Sequence, residues 1–333
     1  MQLKWQRLVK HAPWGKRAMP RGGQLDGYFY VMTGRAGATK VFSDVWRSRD
    51  GRQWDLVTDN PGWGKRCYPD VEVAEGQLVL TAGQDLRTFY NDVWRSGDGG
   101  VKWERVCANA PWQVRAGHHT HMLGSELLLF GGARNSVKRI FYPELWVSPD
   151  LGETWSLRAK LPADMGRAGM QVVSIGETLY FMGGDHDRPV FQASWPGRRN
   201  DIWRSTDHGE TWELLGHAPW AARTGHQAIA HDGRIYVIGG HVRGSKNQRW
   251  RQFLANDVWA WDPKASGDDA EAWTKDANPA WAAGTTGGLP GKSDFHLEAR
   301  EGRLWTFGGD RETLSAWPQD NDVWTADLTA SAA

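Results

Sequence analysis

The sequence predicts an all-β protein assembled from six copies of one structural unit, and three repeated features carry that prediction. Its 333 residues include 22 tryptophans and 40 glycines. A short phrase of the type Asn-Asp-Val-Trp recurs six times, and each phrase follows a short apolar run that ends in glycine. The tryptophans that end the six phrases are Trp46, Trp94, Trp146, Trp203, Trp259 and Trp324. A period of about 50 residues with glycine and aromatic markers predicts a six-bladed β-propeller of four-stranded antiparallel blades.

The four strands of each unit are predicted from short apolar runs between turn residues, because no helical period extends over a useful window. Strand a follows a Pro-Trp segment, strand b ends in the glycines, strand c carries the repeated phrase, and strand d carries a second tryptophan. The whole chain, 1–333, is predicted to be a single domain. Its blades are expected at about 10–57, 58–106, 107–158, 159–215, 216–276, and 277–328 together with 2–9.

The sixth unit lacks its own second tryptophan, because only nine residues follow Trp324. The missing strand is found at the other end of the chain. Trp5 precedes Pro13-Trp14 just as Trp103 precedes Pro111-Trp112. We therefore predict that the N-terminal strand completes the last blade, which closes the ring and leaves no free sheet edge.

Composition and charge exclude several classes of protein. Lys and Arg number 40 against 39 Asp and Glu, so a net charge of +1 argues against a globally basic nucleic-acid binder. No apolar run approaches the roughly 18 residues of a membrane span, and the N-terminus lacks the apolar core of a signal peptide. Cys67 and Cys107 are too few for a disulfide scaffold. We expect a soluble monomer that binds neither nucleic acid nor membrane, either cytoplasmic or exported if a leader was removed.

The glycines that close strand b, the aromatic residue on strand c and the tryptophan on strand d resemble the Kelch-repeat family of β-propellers, which includes the central domain of galactose-oxidase-like proteins. The turns between strands c and d resemble the Asp-box of sialidase-type propellers, Ser-x-Asp-x-Gly-x-x-Trp. Three segments match that pattern fully, and they are Ser96 to Trp103, Ser148 to Trp155 and Ser205 to Trp212. Asp and Ser side chains in such turns bond to backbone amides, so we expect a structural role for them. The resemblance implies the fold and leaves the function open.

A ligand site is expected on the face where the d-to-a and b-to-c loops emerge, in the central funnel. Several guanidinium groups facing one funnel would bind a carboxylate, phosphate or sulfate, and nearby indole rings could stack on a sugar. The predicted ligand-binding residues are Arg17, Arg66, Arg115, Arg167, Arg223, Arg134, Arg188, Arg243, Trp195 and Trp250. For the first five arginines the alternative is structural, since an arginine there could simply tie neighbouring loops together.

The candidates for acid/base chemistry or metal binding lie in the two longest b-to-c loops, where histidine can titrate near neutral pH beside a carboxylate. They are Asp185, His186, Asp187 and His241. The run His118-His119-x-His121 looks like a metal motif, but strand alternation points His118 and His119 to opposite faces. No cysteine or carboxylate nearby in the sequence completes a ligand set there, so no metal and no other cofactor is predicted.

Two functional hypotheses follow. The first is a binding propeller that recognises an anionic small molecule, a glycan or a protein partner through its loop face. The alternative is an enzyme acting on an acidic sugar, either epimerase-like or sialidase-like. Sialidase resemblance would require a Phe/Tyr-Arg-Ile/Leu-Pro segment, which is absent. A galactose-oxidase-like copper site is disfavoured because no convergent set of Cys, Tyr and His ligands can be assembled.

Overall fold

The computed structural model describes residues 3–135, 139–186, 197–243, 252–276, 291–311 and 318–328. Strands are numbered in chain order, beginning with β1 (Trp5–Val9). The first sheet and its loop ribbon comprise β2 (Arg21–Leu25), β3 (Tyr28–Met32), the ribbon strands β4 (Arg35–Ala36) and β5 (Lys40–Val41), β6 (Val45–Ser48) and β7 (Asp55–Thr58). The second sheet comprises β8 (Asp70–Ala74), β9 (Gln77–Thr81), β10 (Val93–Ser96) and β11 (Glu104–Cys107).

The third and fourth sheets repeat this arrangement with longer loops. The third contains β12 (His119–Leu123), β13 (Glu126–Phe130), the ribbon strands β14 (Ala133–Asn135) and β15 (Arg139–Phe141), β16 (Glu144–Ser148) and β17 (Ser156–Lys160). A 3-10 turn (Ala163–Met165) precedes the fourth. That sheet contains β18 (Gln171–Ile175), β19 (Thr178–Met182), the ribbon strands β20 (Asp185–His186) and β21 (Gly197–Arg198), β22 (Asp201–Ser205) and β23 (Glu213–His217).

The fifth and sixth sheets carry the additions of the C-terminal third. The fifth segment runs through β24 (Arg223–Thr224), β25 (Gln227–His231), β26 (Arg234–Ile238), β27 (His241–Arg243), β28 (Gln252–Leu254), β29 (Val258–Trp261), helix α1 (Pro263–Ser266) and β30 (Thr274–Lys275). The last segment runs through β31 (Lys292–Ser293), β32 (His296–Arg300), β33 (Arg303–Arg311) and β34 (Gln319–Asp327). Strands β24, β27 and β28 form a separate small sheet in the loop region.

Six principal sheets are thus present within the described residues, and their first strands close a ring. Strands β2, β8, β12, β18, β25 and β32 each contact the next one in this order, and β32 contacts β2. Every principal sheet is antiparallel, and β1 pairs with β34 at the edge of the sixth. The prediction that the N-terminal strand completes the last sheet is confirmed. The fold is therefore a β-propeller with an axial channel lined by the six first strands.

The tryptophans pack between neighbouring sheets. Four pairs of indole rings meet edge to face, with centroids 5.8 to 5.9 Å apart, and they are Trp14 with Trp54, Trp63 with Trp103, Trp112 with Trp155, and Trp220 with Trp273. Edge-to-face contacts of this kind add to the large apolar area that each ring buries. The excess of tryptophan in the composition is in large part the inter-sheet core.

The turns between strands c and d have the hydrogen bonds that their sequence predicts. In the fourth sheet the Ser205 hydroxyl donates to Asp207 at 2.7 Å and accepts from the Gly209 amide at 2.8 Å. Asp207 also accepts from the Thr211 amide at 2.9 Å, and the Trp212 indole donates to the Gly209 carbonyl at 3.0 Å. These four hydrogen bonds therefore stabilise the turn, as expected from the residue types.

Asp207 should make the free energy of unfolding depend on pH in the acidic range. Its slight burial would raise its pKa, but hydrogen bonds from Thr211 and Ser205 lower the pKa to about 2, below the ordinary 3.8. The carboxylate therefore stabilises the fold above pH 4 and loses that contribution as the pH falls toward 2. Because the group is solvent-exposed, we expect no more than about 1 kcal/mol. In urea unfolding, Asp207→Asn should be less stable than the native chain at pH 6 and equal to it near pH 2. A gap that is constant across that pH range would contradict this prediction.

Neither short helix among the described residues is long and apolar enough to cross a membrane.

Candidate functional site

The arginines at the start of each strand a are buried in ion pairs and do not face the funnel. Arg167, in the fourth sheet, has no exposed surface. Its two terminal nitrogens donate to the Asp201 carboxylate at 2.6 and 2.5 Å, and one also donates to the Gly183 carbonyl at 2.9 Å. The same carboxylate accepts from the Trp203 indole at 2.9 Å. This arrangement links the start of strand a with strands b and c of one sheet.

Every sheet has an equivalent ion pair. The pairs are Arg17 with Asp44, Arg66 with Asp92, Arg115 with Glu144, Arg167 with Asp201, Arg223 with Asp257 and Lys292 with Asp322. The cationic members are between 0% and 2% exposed. This corrects the prediction that Arg17, Arg66, Arg115, Arg167 and Arg223 bind a ligand. Their guanidinium groups hydrogen-bond to carboxylates and backbone carbonyls. They therefore have the alternative role considered above, in which an arginine ties neighbouring loops together.

The remaining predicted ligand residues lie elsewhere. Arg134 is exposed on β14. Arg188, Trp195, Trp250 and Asp187 lie outside the described residues, as does the side chain of Arg243.

The loop end of the axial channel opens into a cavity of about 510 Å³. Its polar lining includes Arg21, Arg139, Arg198, Asp185, His241 and Asp294. This cavity is called the funnel below. A pocket of this size with converging charged groups is where a small ligand is expected to bind.

One repeated backbone position shapes the funnel wall. The residue two places after each buried cation has a positive φ of +52° to +66°, and the six are Met19, Tyr68, Gly117, Gly169, Gly225 and Asp294. Five backbone hydrogen bonds join these positions from sheet to sheet. The three glycines lie side by side along the wall, where neighbouring residues approach too closely for a side chain. A Cβ atom at Gly169, for example, would lie 2.4 Å from the Thr224 hydroxyl. Tyr68 and Asp294 project into the funnel instead.

Three guanidinium groups reach this cavity from different elements. Arg21 begins strand β2 and pairs with Asp70 at 3.0 Å. Arg139 and Arg198 share a single carboxylate, that of Asp185, at 3.5 and 4.0 Å. Burial raises the pKa of Asp185, although both arginines oppose that shift. Two guanidinium groups therefore face the Asp185 carboxylate on this side of the funnel.

His241 lies in a second, acidic cluster on the funnel wall. Its Nε2 atom is 2.8 Å from the Asp294 carboxylate and 2.8 Å from the Ser293 hydroxyl. Asp310 lies beside them and accepts a hydrogen bond from Gln319 at 2.7 Å. Burial and the charge of Asp294 raise the pKa of Asp310 to about 6. His241 and Asp185 were predicted as site residues, and the structure places both on the funnel wall.

Asp294 was missed because sequence reasoning treated its segment as part of strand a. A signal was present, since Lys292-Ser293-Asp294 aligns with Arg115-Ala116-Gly117 and places a carboxylate where a neighbouring sheet has glycine. Arg139 and Arg198 were missed because nothing in a single sequence shows that the third and fourth loops converge. His186, by contrast, is tied to the Gly166 carbonyl at 2.9 Å and is not among the described residues that line the funnel.

The channel continues beyond Arg21 into a second chamber of about 450 Å³ at the opposite end. His119 donates to the Val172 carbonyl at 2.9 Å, and His121 hydrogen-bonds with Ser174 at 2.8 Å. Burial, followed by the charges of Asp70 and Glu298, raises the pKa of Glu72 in this chamber well above its usual value. The histidine run therefore serves hydrogen bonding between neighbouring first strands.

A larger groove of about 720 Å³ lies between the loops of the first two sheets. Phe42 and Leu86 supply apolar surface there, and Lys40, Lys65 and Asp85 are among its charged residues. We favour the funnel as the candidate site in spite of its smaller volume. It gathers buried ionisable groups with shifted pKa values, which is the usual property of a functional pocket.

The closed ring of sheets, the glycines that end each strand b and the paired tryptophans define a Kelch-type β-propeller. A family model described as "Kelch motif" matches residues 222–278. The solved structure described as "Structure of YjhT" superposes with a TM-score of 0.72 at 15% identity, covering 95% of this chain and 96% of that one.

Three curated proteins are similar to this chain at 22–23% identity over part of their length. N-acetylneuraminate epimerase of Pasteurella multocida (strain Pm70) is 22% identical over 233 residues, covering 67% of this chain and 52% of that protein. A Leucine-zipper-like transcriptional regulator 1 homolog of Drosophila melanogaster is 23% identical over 287 residues, covering 78% and 26%. A xyloglucanase of Paenibacillus sp is 22% identical over 237 residues, covering 62% and 22%. The chain spans about half or less of the length of these curated relatives.

Proposed function

We propose that the protein binds a small sugar carrying a carboxylate in the funnel of its propeller. The observation that carries this proposal is the placement of Arg21, Arg139 and Arg198 on one cavity of about 510 Å³. Guanidinium groups bind carboxylates through paired, charge-assisted hydrogen bonds. A volume of this order accommodates a monosaccharide and exceeds what a lone inorganic anion needs.

The ligand carboxylate is assigned to the side of Arg139 and Arg198. Both pair with Asp185, at 3.5 and 4.0 Å, which is longer than a tight ion pair. Arg21 is committed more closely to Asp70, at 3.0 Å. An incoming carboxylate would therefore meet two guanidinium groups between the third and fourth sheets. The likeness to an epimerase of an acidic sugar points to the same ligand class.

Arg139→Gln is expected to weaken the binding of N-acetylneuraminate by about 10- to 100-fold, since a hydrogen bond to a charged group contributes about 1.5–3 kcal/mol. Isothermal titration calorimetry measures this directly. The methyl ester of the same sugar is the matched ligand control, because it keeps the shape and removes the charge. The native protein should bind the ester as weakly as the variant binds the acid.

Arg52→Gln is the matched protein control, because Arg52 is exposed on a turn between strands c and d. It removes one positive charge and should leave binding unchanged. Equal affinity for the acid and its ester would contradict the proposal, as would an Arg139→Gln variant that binds like the native chain. If no acidic sugar binds, a protein partner on the loop face becomes the favoured hypothesis.

An enzyme acting on the same sugar is the second candidate, and the position of Asp185 favours it. Its carboxyl faces the cavity between two guanidinium groups, and burial raises its pKa toward the range where a general acid or base is effective. Nuclear magnetic resonance of N-acetylneuraminate with catalytic amounts of protein would show accelerated interconversion of sugar isomers. Asp185→Asn should abolish that acceleration while preserving binding of the acid. Rates equal to those in buffer would leave the protein a binder without this activity.

A further inference from the structure

We propose that His241, Asp294 and Asp310 form a binding site for one divalent transition-metal ion, of the Zn²⁺ or Mn²⁺ type, on the wall of the funnel. The inference does not depend on the proposed anion site, because it uses different residues of the same cavity. It rests on the spacing of three donor atoms, on the burial of the carboxylates and on the rigidity of the elements that hold them.

The spacing of the donors suits one ion. One donor atom from each residue lies within 4.8 Å of the other two. Metal–ligand bonds to imidazole and carboxylate are about 2.0–2.2 Å, so donors on opposite sides of one ion are at most about 4.4 Å apart. His241 Nε2 and the Asp294 oxygen, at 2.8 Å, already have the separation of adjacent ligands. A side-chain shift of at most about half an ångström would therefore close the set.

The carboxylates are placed where an ion would relieve their repulsion. Asp310 is only 5% exposed. One of its oxygens accepts from Gln319, and among the described residues no hydrogen bond is made to the other. Asp294 is the nearest carboxylate and disfavours the charged form of Asp310. A divalent cation between the two would satisfy both charges and the second Asp310 oxygen.

Each ligand is held by regular backbone. His241 begins β27, which is hydrogen-bonded to β24 and β28. Asp310 lies in β33 and is paired across the sheet with Gln319, whose side chain donates a hydrogen bond to the Asp310 carboxylate and orients it. Asp294 occupies the positive-φ position of the sixth sheet, and its amide is bonded to the Gly225 carbonyl at 2.8 Å. Preorganised ligands supported by a second layer of hydrogen bonds are typical of metal sites in proteins.

The donor set also indicates the class of ion. One imidazole and two carboxylates suit Zn²⁺, Mn²⁺ and related metals, whereas Ca²⁺ and Mg²⁺ prefer oxygen ligands throughout. The Ser293 hydroxyl, 2.8 Å from His241 Nε2, is close enough to act as a further donor. Because His241 and Asp294 line the funnel, the ion would keep a position open for water or for a ligand oxygen. Arg35 lies near both carboxylates and limits the negative charge of the site, which favours a divalent over a trivalent ion.

The test uses the full chain after removal of metals with a chelator, in the absence of any sugar. Titration with Zn²⁺ or Mn²⁺ should give one site per chain in calorimetry. The melting temperature should rise by about 3–5 °C at a hundredfold excess over the Kd. Asp310→Asn keeps the side-chain shape and should weaken binding at least about 10-fold. Glu153→Gln removes a carboxyl that is 51% exposed and lies outside the funnel lining, and it should bind metal like the native chain.

Co²⁺ absorption spectroscopy provides a readout that does not depend on folding stability, because its visible bands change with the ligands. His241→Gln should alter these bands, and Glu153→Gln should not. The inference is overturned if the native chain binds neither Zn²⁺ nor Mn²⁺ below millimolar concentration, or if Asp310→Asn and His241→Gln both bind as tightly as the native chain. The calorimetric sugar titration in the presence of chelator tests the anion site separately, so failure of one proposal leaves the other measurable.

Discussion

Asp201→Ala is expected to lower the free energy of unfolding by about 3–5 kcal/mol, because it leaves the guanidinium of Arg167 buried without a counter-charge. Arg167 has no exposed surface and donates two hydrogen bonds to this carboxylate, at 2.6 and 2.5 Å. The Trp203 indole loses its acceptor at the same time. Urea-induced unfolding at pH 7, followed by tryptophan fluorescence, gives the change directly.

An exposed ion pair supplies the control. Glu153, whose side chain is 51% exposed, pairs with Arg95 at 2.5 Å. Glu153→Ala should cost less than about 1 kcal/mol, since exposed pairs contribute little. The double variant Arg167→Met with Asp201→Ala should recover part of the loss, because it removes the buried charge together with its partner. A decrease in the free energy of unfolding of Asp201→Ala below about 1 kcal/mol would contradict this prediction. It would show that Arg167 is hydrated and that the ion pair does not stabilise its sheet.

Deletion of residues 1–9 is expected to destabilise the protein by at least about 4 kcal/mol, because burying each large apolar side chain contributes about 1.5–3 kcal/mol. Leu3 and Trp5 are 1% and 5% exposed and pack in one cluster with Trp324. The deletion also exposes the edge of β34, to which β1 is paired. An open strand edge invites pairing with other chains, so the truncated protein should also aggregate. Chemical unfolding and sedimentation velocity measure the two effects.

A peptide of residues 1–10 added in trans should restore part of the lost stability, since a free sheet edge accepts an added strand. The same peptide with Trp5→Ala is the control and should rescue less, because it lacks the buried indole. A truncated chain as stable as the full one would mean that β1 does not close the ring. Rescue by both peptides alike would assign the effect to backbone pairing and not to the apolar cluster.

Repetition made most of the fold accessible from sequence. The six Asp-Val-Trp type phrases and the glycines before them correspond to the central strands of the six sheets, as in β9 with β10. Trp5 indicated the closing strand because its distance to Pro13 matched that of Trp103 to Pro111. The turn chemistry of Ser205 and Asp207 followed from residue type, since those hydrogen bonds join groups only a few positions apart.

The site was only partly accessible. Asp185 and His241 were identified because they lie in long loops next to the strand-b glycines. The assignment of the strand-a arginines as ligand-binding residues was wrong. They repeat along the sequence because each has the same buried structural role in its own sheet. An equivalent of Arg167 recurs in every principal sheet, as arginine in five and as Lys292 in the sixth, because each has the same internal ion pair. The carboxylate that neutralises Arg167 lies 34 positions further on. The candidate ligand site, by contrast, is formed by residues such as Asp294 that differ from those at the equivalent positions of the other sheets.

The sequence alone therefore determined the repeat, the strand order, the turn chemistry and the closure by the N-terminal strand, because each depends on contacts within one unit or on a pattern that repeats six times. Only the tertiary structure decided which charges meet in the funnel. Arg21, Arg139, Arg198, Asp294 and Asp310 come from four different sheets, and their approach depends on how the ring and its loops close. Burial then determined the ionisation of these groups. A buried Arg167 needs the Asp201 carboxylate as its counter-charge, and burial raises the pKa values of Asp185 and Asp310.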